Sequence, residues 1–258
     1  MNDHTNIKEH IFDLYKRYTT EIINLRKKQR KFINIIENIS KPQFDDLESE
    51  ILYLITRHYK PEKAIELGSL ACWSTSWMLN AMKLNKSGMC ISYDITDSSC
   101  EHLEELSEFR TFNRGDVRTI LDVNTIFDTN FLFIDAEHTT PFHRWCIEKL
   151  LDPLHNGKNQ MWWEGGGEIQ KATGIVPVII HDVFIENNGG YPHPETTIVI
   201  DWLENNNINY FSPSHTFSTF DEINEFRKNL SIGVNGSIHP RSEKNSMILF
   251  FLGETSVE

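Results

Sequence analysis

The feature that most constrains this chain is a unit repeated between residues 62 and 182. Each unit is a short apolar run, a glycine or an acid at its end, and a helical stretch. Lys63-Ala64-Ile65-Glu66-Leu67 stops at Gly68, and residues 88–94 stop at Asp94. Thr111-Phe112-Asn113 leads to Gly115-Asp116, residues 130–135 end in Asp135, and residues 176–182 end in His181-Asp182. Strands alternating with helices predict βαβ units and a parallel sheet. The runs are apolar throughout, as in strands buried on both faces. The predicted class is therefore α/β, an open, doubly wound, mostly parallel sheet.

The flanks differ. Residues 7–39 carry apolar side chains at helical spacing and stop at Ser40-Lys41-Pro42, and a second helix is predicted over residues 44–58. Residues 1–60 thus form an N-terminal helical cap or lid, and residues 61–258 the α/β domain. An insert over about residues 156–175 holds Met161-Trp162-Trp163 and Gly165-Gly166-Gly167 and is too long for an ordinary connection. Beyond it, helices are predicted at 196–205 and 219–230, with strands at 209–212 and 246–252. Periodicity leaves the order of these last strands open.

Composition excludes several functions. The net charge of −12 argues against a nucleic-acid partner, which calls for a basic face. The run Arg26, Lys27, Lys28, Arg30, Lys31 reads as a solvated helix face, with a lid or docking surface as the alternative. No apolar stretch is long enough to span a membrane, and Met1 to Lys8 lacks the apolar core of a secretory signal. Cys72, Cys90, Cys100 and Cys146 show neither metal spacing nor disulfide density, so a reducing, cytoplasmic setting is expected.

In an open parallel sheet the ligand lies beyond the carboxyl ends of the strands. Here acids stand at five of them: Glu66 in the first-strand turn Glu66-Leu67-Gly68, then Asp94, Asp116, Asp135 with Glu137, and Asp182. Gly68 permits a tight turn and a close backbone approach. Asp94 has two oxygens with which to accept a ribose diol. No G-x-G-x-x-G and no G-K-[ST] follows the first strand, so a nucleoside without a pyrophosphate is the expected ligand.

Glu66-x-Gly68 with Ser74-Thr75, Asp94, Gly115-Asp116, Phe133-Ile134-Asp135-Ala136-Glu137-His138 and Ile179-Ile180-His181-Asp182-Val183 together resemble the motifs of class I S-adenosylmethionine-dependent methyltransferases. The likeness is nearest to small-molecule O-methyltransferases of natural-product tailoring and covers residues 62–205. It implies a Rossmann-like sheet with a terminal antiparallel strand and S-adenosylmethionine as cofactor. It places the cofactor on Glu66, Gly68, Ser74, Asp94, Asp116 and Asp135, the last near the reaction centre. Cys72 stands where such families often have a second glycine, and Trp73 where a small residue is common.

Methyl transfer from a sulfonium needs alignment of donor and acceptor and a base for a hydroxyl acceptor. His138, three residues past Asp135, is the first candidate base and His181 the second. Asp135, His181 and Asp182 could hold Mg²⁺, but Mg²⁺ prefers all-oxygen ligation, so no catalytic metal is expected. Two other functions fit the same fold. One is cyclisation of S-adenosylmethionine itself to azetidine-2-carboxylate and methylthioadenosine, with Trp73, Trp162, Trp163 or Tyr191 facing the sulfonium. The other is a non-catalytic binding protein. The expected partner is a small molecule, and the N-terminal helices are open to serving as a lid, a homodimer interface, or both.

Overall fold

The computed structural model describes residues 7–36, 42–96, 100–157, 174–185, 191–213, 217–239 and 246–253. In chain order the helices are α1 (Ile7–Ile36), α2 (Asp46–Tyr59), α3 (Trp73–Asn85), α4 (Val117–Ile120), α5 (Thr140–Cys146), α6 (Asp152–Gly157), α7 (Thr197–Asn205) and α8 (Phe217–Asn229). The strands are β1 (Lys63–Leu67), β2 (Met89–Asp94), β3 (Arg110–Arg114), β4 (Phe131–Ile134), β5 (Val176–Ile185), β6 (Tyr191–Pro192), β7 (Tyr210–Phe211) and β8 (Ser246–Leu252). They form one sheet in the order β3-β2-β1-β4-β5-β8-β7, with β6 on β5. The first five in that order are parallel, and β8 runs antiparallel to β5. The last strand in sequence therefore inserts between β5 and β7, a placement its periodicity could not reveal.

Alternation along the strands divides the core in two. Ala64, Phe131, Phe133, Ile179, Met247 and Leu249 face α1, α2 and α3. Ile65, Leu67, Leu132, Ile134, Val178, Ile248 and Phe250 face α5, α6 and α7. The period of two thus makes each strand apolar on both faces, as a sheet between helical layers requires.

Helix α2 starts where it does because Asp45 caps it. The Asp45 carboxylate accepts from the N–H groups of Leu47 and Glu48 at 2.8 and 2.9 Å, and Glu48 reaches back to the Asp45 N–H. Both α1 and α2 lie in the same core as α3 and the sheet. A buried charge cluster ties them to α8: Glu50 is bonded by Arg26, by Arg227 at 2.6 and 2.7 Å, and by the Tyr15 hydroxyl at 3.1 Å.

This corrects the reading of the basic run in part. Arg26 is buried against Asp46 and Glu50, Lys28 meets Asn80 and Glu105, and Arg30 donates to the backbone oxygens of Asn235, Gly236 and Ser237. Arg26 is thus an internal anchor and Arg30 a tether, while Lys27, Lys28 and Lys31 remain exposed as on a solvated face. No described helix is long and apolar enough to cross a membrane.

Candidate active site

The carboxyl ends of β1, β4 and β5 and the first turn of α3 enclose a cavity of about 200 Å³, roofed by Pro42, Gln43 and Phe44. Gly68 makes the close packing of β1 on β4 possible. Its φ is +85°, and a Cβ there would overlap the Asp135 carbonyl oxygen and lie 2.7 Å from its carbon. The turn is fixed by the Gly68 N–H on Tyr93 O and the Asp135 N–H on Leu67 O, both at 2.8 Å.

The turn continues with left-handed residues at Leu70 and Cys72. Alternating handedness points successive N–H groups to one side, which makes an anion cradle. Its anion is the chain's own Asp94. Ser69 and Leu70 donate to one oxygen at 2.9 and 2.8 Å, and the Thr96 N–H and hydroxyl to the other at 2.8 and 2.7 Å. Burial pushes the Asp94 carboxyl up, but the N–H groups of Leu70, Thr96 and Ser69 outweigh it and hold it below the usual value.

The other residues proposed for the cofactor are placed unevenly. Glu66 is fully buried beneath the turn and does not line the cavity. Its carboxylate accepts from Ser74, Thr75 and Ser92, at 2.9, 2.9 and 2.5 Å. It fastens α3 to β1 and β2, and burial pushes its carboxyl up. Ser74 lines the cavity while its hydroxyl donates to Glu66. Asp116 caps α4 and is gripped by Arg118, whose hydrogen bonds hold the carboxyl below its usual value; Arg118 also pairs with Glu137 at 3.0 Å.

The two departures in the turn have structural causes. Trp73 is buried and its Nε1–H donates to Phe44 O and Ser49 Oγ at 2.8 and 2.9 Å, while its ring stacks on Phe32. It is the anchor by which α1 and α2 sit on the α/β layers. Cys72 forms a disulfide with Cys100, Cα to Cα 6.0 Å, which corrects the expectation of four unpaired thiols. Cys90 and Cys146 are buried and free.

Titratable side chains converge at the ends of β4 and β5. Between Ile180 and Phe184 the β5–β8 register slips, and Asp182 adopts a left-handed φ of +58°. A bulge at a strand end re-aims side chains, and aspartate tolerates this conformation better than most residues. The result is that consecutive residues His181 and Asp182 both reach Asp135's neighbourhood. His138 Nε2 lies 3.0 Å from Asp182 Oδ2 on the exposed rim. Burial lowers the pKa of His138, but the hydrogen bond and charge of Asp182, with Asp135, outweigh that and raise it.

His181 is fully buried. Its Nδ1 is 3.2 Å from both Asp135 Oδ1 and Asp182 Oδ1, and its Nε2 is 3.4 Å from Glu48 Oε2 on α2. Burial works to lower its pKa, yet the three carboxylates carry it well above the ordinary histidine value. Asp135, His181 and Asp182 offer ligand atoms within 4.8 Å of one another, close enough to share a metal ion. Mg²⁺ takes oxygen ligands, whereas the nitrogen that would face it already faces both carboxylates. The donor set does not fit Mg²⁺.

The structure thus brings Gly68, Ser74, Asp135, His138 and Asp182 to one cavity, with His181 behind it. Glu66, Asp94 and Asp116 lie outside its lining. Sequence reasoning missed Glu48 and Phe44. Glu48 carries a signal only as the third-position acid of a capping box, which says nothing of a contact with His181. Trp162 and Trp163 and the Tyr191 side chain lie outside the described residues.

A family model described as a methyltransferase domain matches residues 65–157. The comparison with curated proteins gives no sequence match. Among solved structures, an O-methyltransferase from Bacillus cereus in complex with SAH is 12% identical, with 88% of this chain and 90% of that chain covered and a TM-score of 0.51. A methyltransferase from Geobacter sulfurreducens is 12% identical, with 86% and 89% covered and a TM-score of 0.51. The chain has the fold of class I S-adenosylmethionine-dependent methyltransferases, and its residues 65–157 are similar to a methyltransferase domain.

Proposed function

We propose that this chain moves the sulfonium methyl group of S-adenosylmethionine onto a hydroxyl of a small molecule, an O-methylation of the kind used to tailor secondary metabolites. The observation that carries the reading is the His138–Asp182 pair, 3.0 Å apart on the rim of the cavity that Gly68 and Asp135 line. The S–CH₃ bond breaks as the O–CH₃ bond forms, and S-adenosylhomocysteine leaves. The hydroxyl proton goes to His138 Nδ1, while Asp182 holds Nε2. That pairing fixes the ring and makes it a stronger base, the two requirements of general-base catalysis. The methionine end of the donor sits against the Gly68 turn and Asp135, the ribose on Asp94, and the adenine by Asp116. A fold relative crystallised with SAH supports this choice of donor.

One observation favours a second reading. The cavity of about 200 Å³ is small beside the roughly 300–1,000 Å³ of ordinary ligand sites, and Phe44 and Trp73 line it. Such a site suits a donor that is its own substrate, cyclising to azetidine-2-carboxylate and methylthioadenosine. Incubation with S-adenosylmethionine alone, followed by product analysis, separates the two. Methylthioadenosine above the spontaneous background rejects methyl transfer. S-adenosylhomocysteine formed only with an added alcohol or phenol supports it. His138→Ala is then expected to lower turnover by about 10²-fold or more, and unchanged turnover removes His138 from the mechanism. Absence of S-adenosylmethionine binding by calorimetry would leave only a non-catalytic role for the fold.

A further inference from the structure

His181 sits where acids from three elements meet. Three carboxylates from three elements converge on one buried imidazole: Asp135 after β4, Asp182 in the β5 bulge, and Glu48 in the first turn of α2. Carboxylates only accept hydrogen bonds, and a neutral imidazole has only one N–H to give. Here Nδ1 is bonded to Asp135 at 3.2 Å, while Nε2 has a Glu48 oxygen at 3.4 Å without a hydrogen bond to it, so the three surrounding negative charges rather than two hydrogen bonds favour the charged ring. Phe44 packs edge-on to the ring at 5.0 Å and offers no donor. Two neighbours weigh against the charged ring: burial pushes the Asp45 carboxyl up to about 8, so it adds little negative charge, and His138, 3.0 Å from Asp182, competes as a second cation.

We propose that His181 is a fixed imidazolium occupying the place of a divalent cation, and that it is a positioning residue that aims Asp135 and Asp182 at the cavity while binding them to Glu48 of α2. One charge replaces two at the centre. The three carboxylates therefore keep one more unit of negative charge than they would around a dication, and this charge faces the cavity. Resting on the proposed donor, this excess attracts a sulfonium and an α-ammonium that a dication would repel. Glu48 accepts in addition from the Met247 N–H at 2.8 Å, so α2, β8 and the centre are joined through one carboxylate.

The test reads the imidazole directly and needs no turnover. In ¹⁵N spectra of the full chain, His181, assigned by loss of its signals in His181→Asn or by its contact with the Phe44 ring, is expected to show two protonated nitrogens, unchanged from about pH 6 to pH 8. A neutral tautomer at pH 7 overturns the proposal. Calorimetry with Mg²⁺ or Mn²⁺ alone is expected to give no saturable binding to the native chain. His181→Asp, which makes the site all-oxygen, is expected to gain it by about tenfold or more. Metal binding by the native chain with loss of the two N–H signals, or a folded His181→Asp that gains none, overturns the assignment. Where that variant does not fold, the native spectrum decides alone. Failure of the donor to bind would count against the proposed function and leave the spectrum unaffected.

Discussion

Gly68→Ala tests fold and site at once. Two costs arise. The first is the left-handed backbone at φ +85°, about 1–2 kcal/mol for a residue with a Cβ. The second is the overlap with the Asp135 carbonyl. The added carbon would lie 2.7 Å from the Asp135 carbon and 3.2 Å from Ala136 Cα, closer than van der Waals contact, and the neighbour is backbone. Relief requires the end of β4 to move, a kind of overpacking that costs about 1–3 kcal/mol. The sum is about 2–5 kcal/mol, or a fall in melting temperature of roughly 4–20 °C for a domain of this size. Gly236→Ala isolates the first cost, because its φ is +84° but nothing lies within 4 Å of the new carbon. Thermal unfolding of both variants followed by circular dichroism gives the difference. Asp135 would shift with the strand end, and a misplacement near 1 Å costs about 10²-fold in rate. If Gly68→Ala melts within a degree or so of Gly236→Ala, the close approach of β1 and β4 is not what demands glycine.

Three further outcomes are expected. The base must be unprotonated to work, so kcat/KM should rise as pH passes the raised pKa of His138, above the ordinary 6.5; Asp182→Asn should move that rise to lower pH, and an unmoved rise breaks the link between the two residues. Glu50→Ala leaves the buried Arg26 and Arg227 without their shared partner, so stability in urea should fall by about 3–5 kcal/mol, while a native-like midpoint would mean the cluster relaxes freely. Thiol counting of the unfolded, unreduced chain should find Cys90 and Cys146 only, and reduction should cost about 3–4 kcal/mol for a bridge spanning 28 residues; four reactive thiols would exclude the bridge.

The local patterns were readable because they are local. Lys63–Leu67 and Ser246–Leu252 declare themselves as strands by length and apolar content, and both keep those bounds in the structure. The acids at the strand ends were visible too, since the chain must turn there. What could not be read depends on meetings between distant residues. Glu48 and His181 are 133 positions apart, and their contact requires α2 to lie across β5. The position of β8 beside β5, the pairing of Cys72 with Cys100, and the burial of Arg26 are of the same kind. Strand β5 runs to Ile185, past the His181-Asp182 pair that reads as its end, because the bulge lets polar residues sit inside a strand.

Asp94 has a consequence for how a nucleoside reaches its place. A carboxylate has about four lone-pair positions, and in this chain Ser69, Leu70 and Thr96 fill all four. On the proposed function, a ribose diol arriving there would compete with the protein's own amides and exchange bond for bond. Arrival would then add few hydrogen bonds in net, and the proposed donor's affinity would come from its other end, at the sulfonium. The cradle holds its shape because Asp94 already fills it.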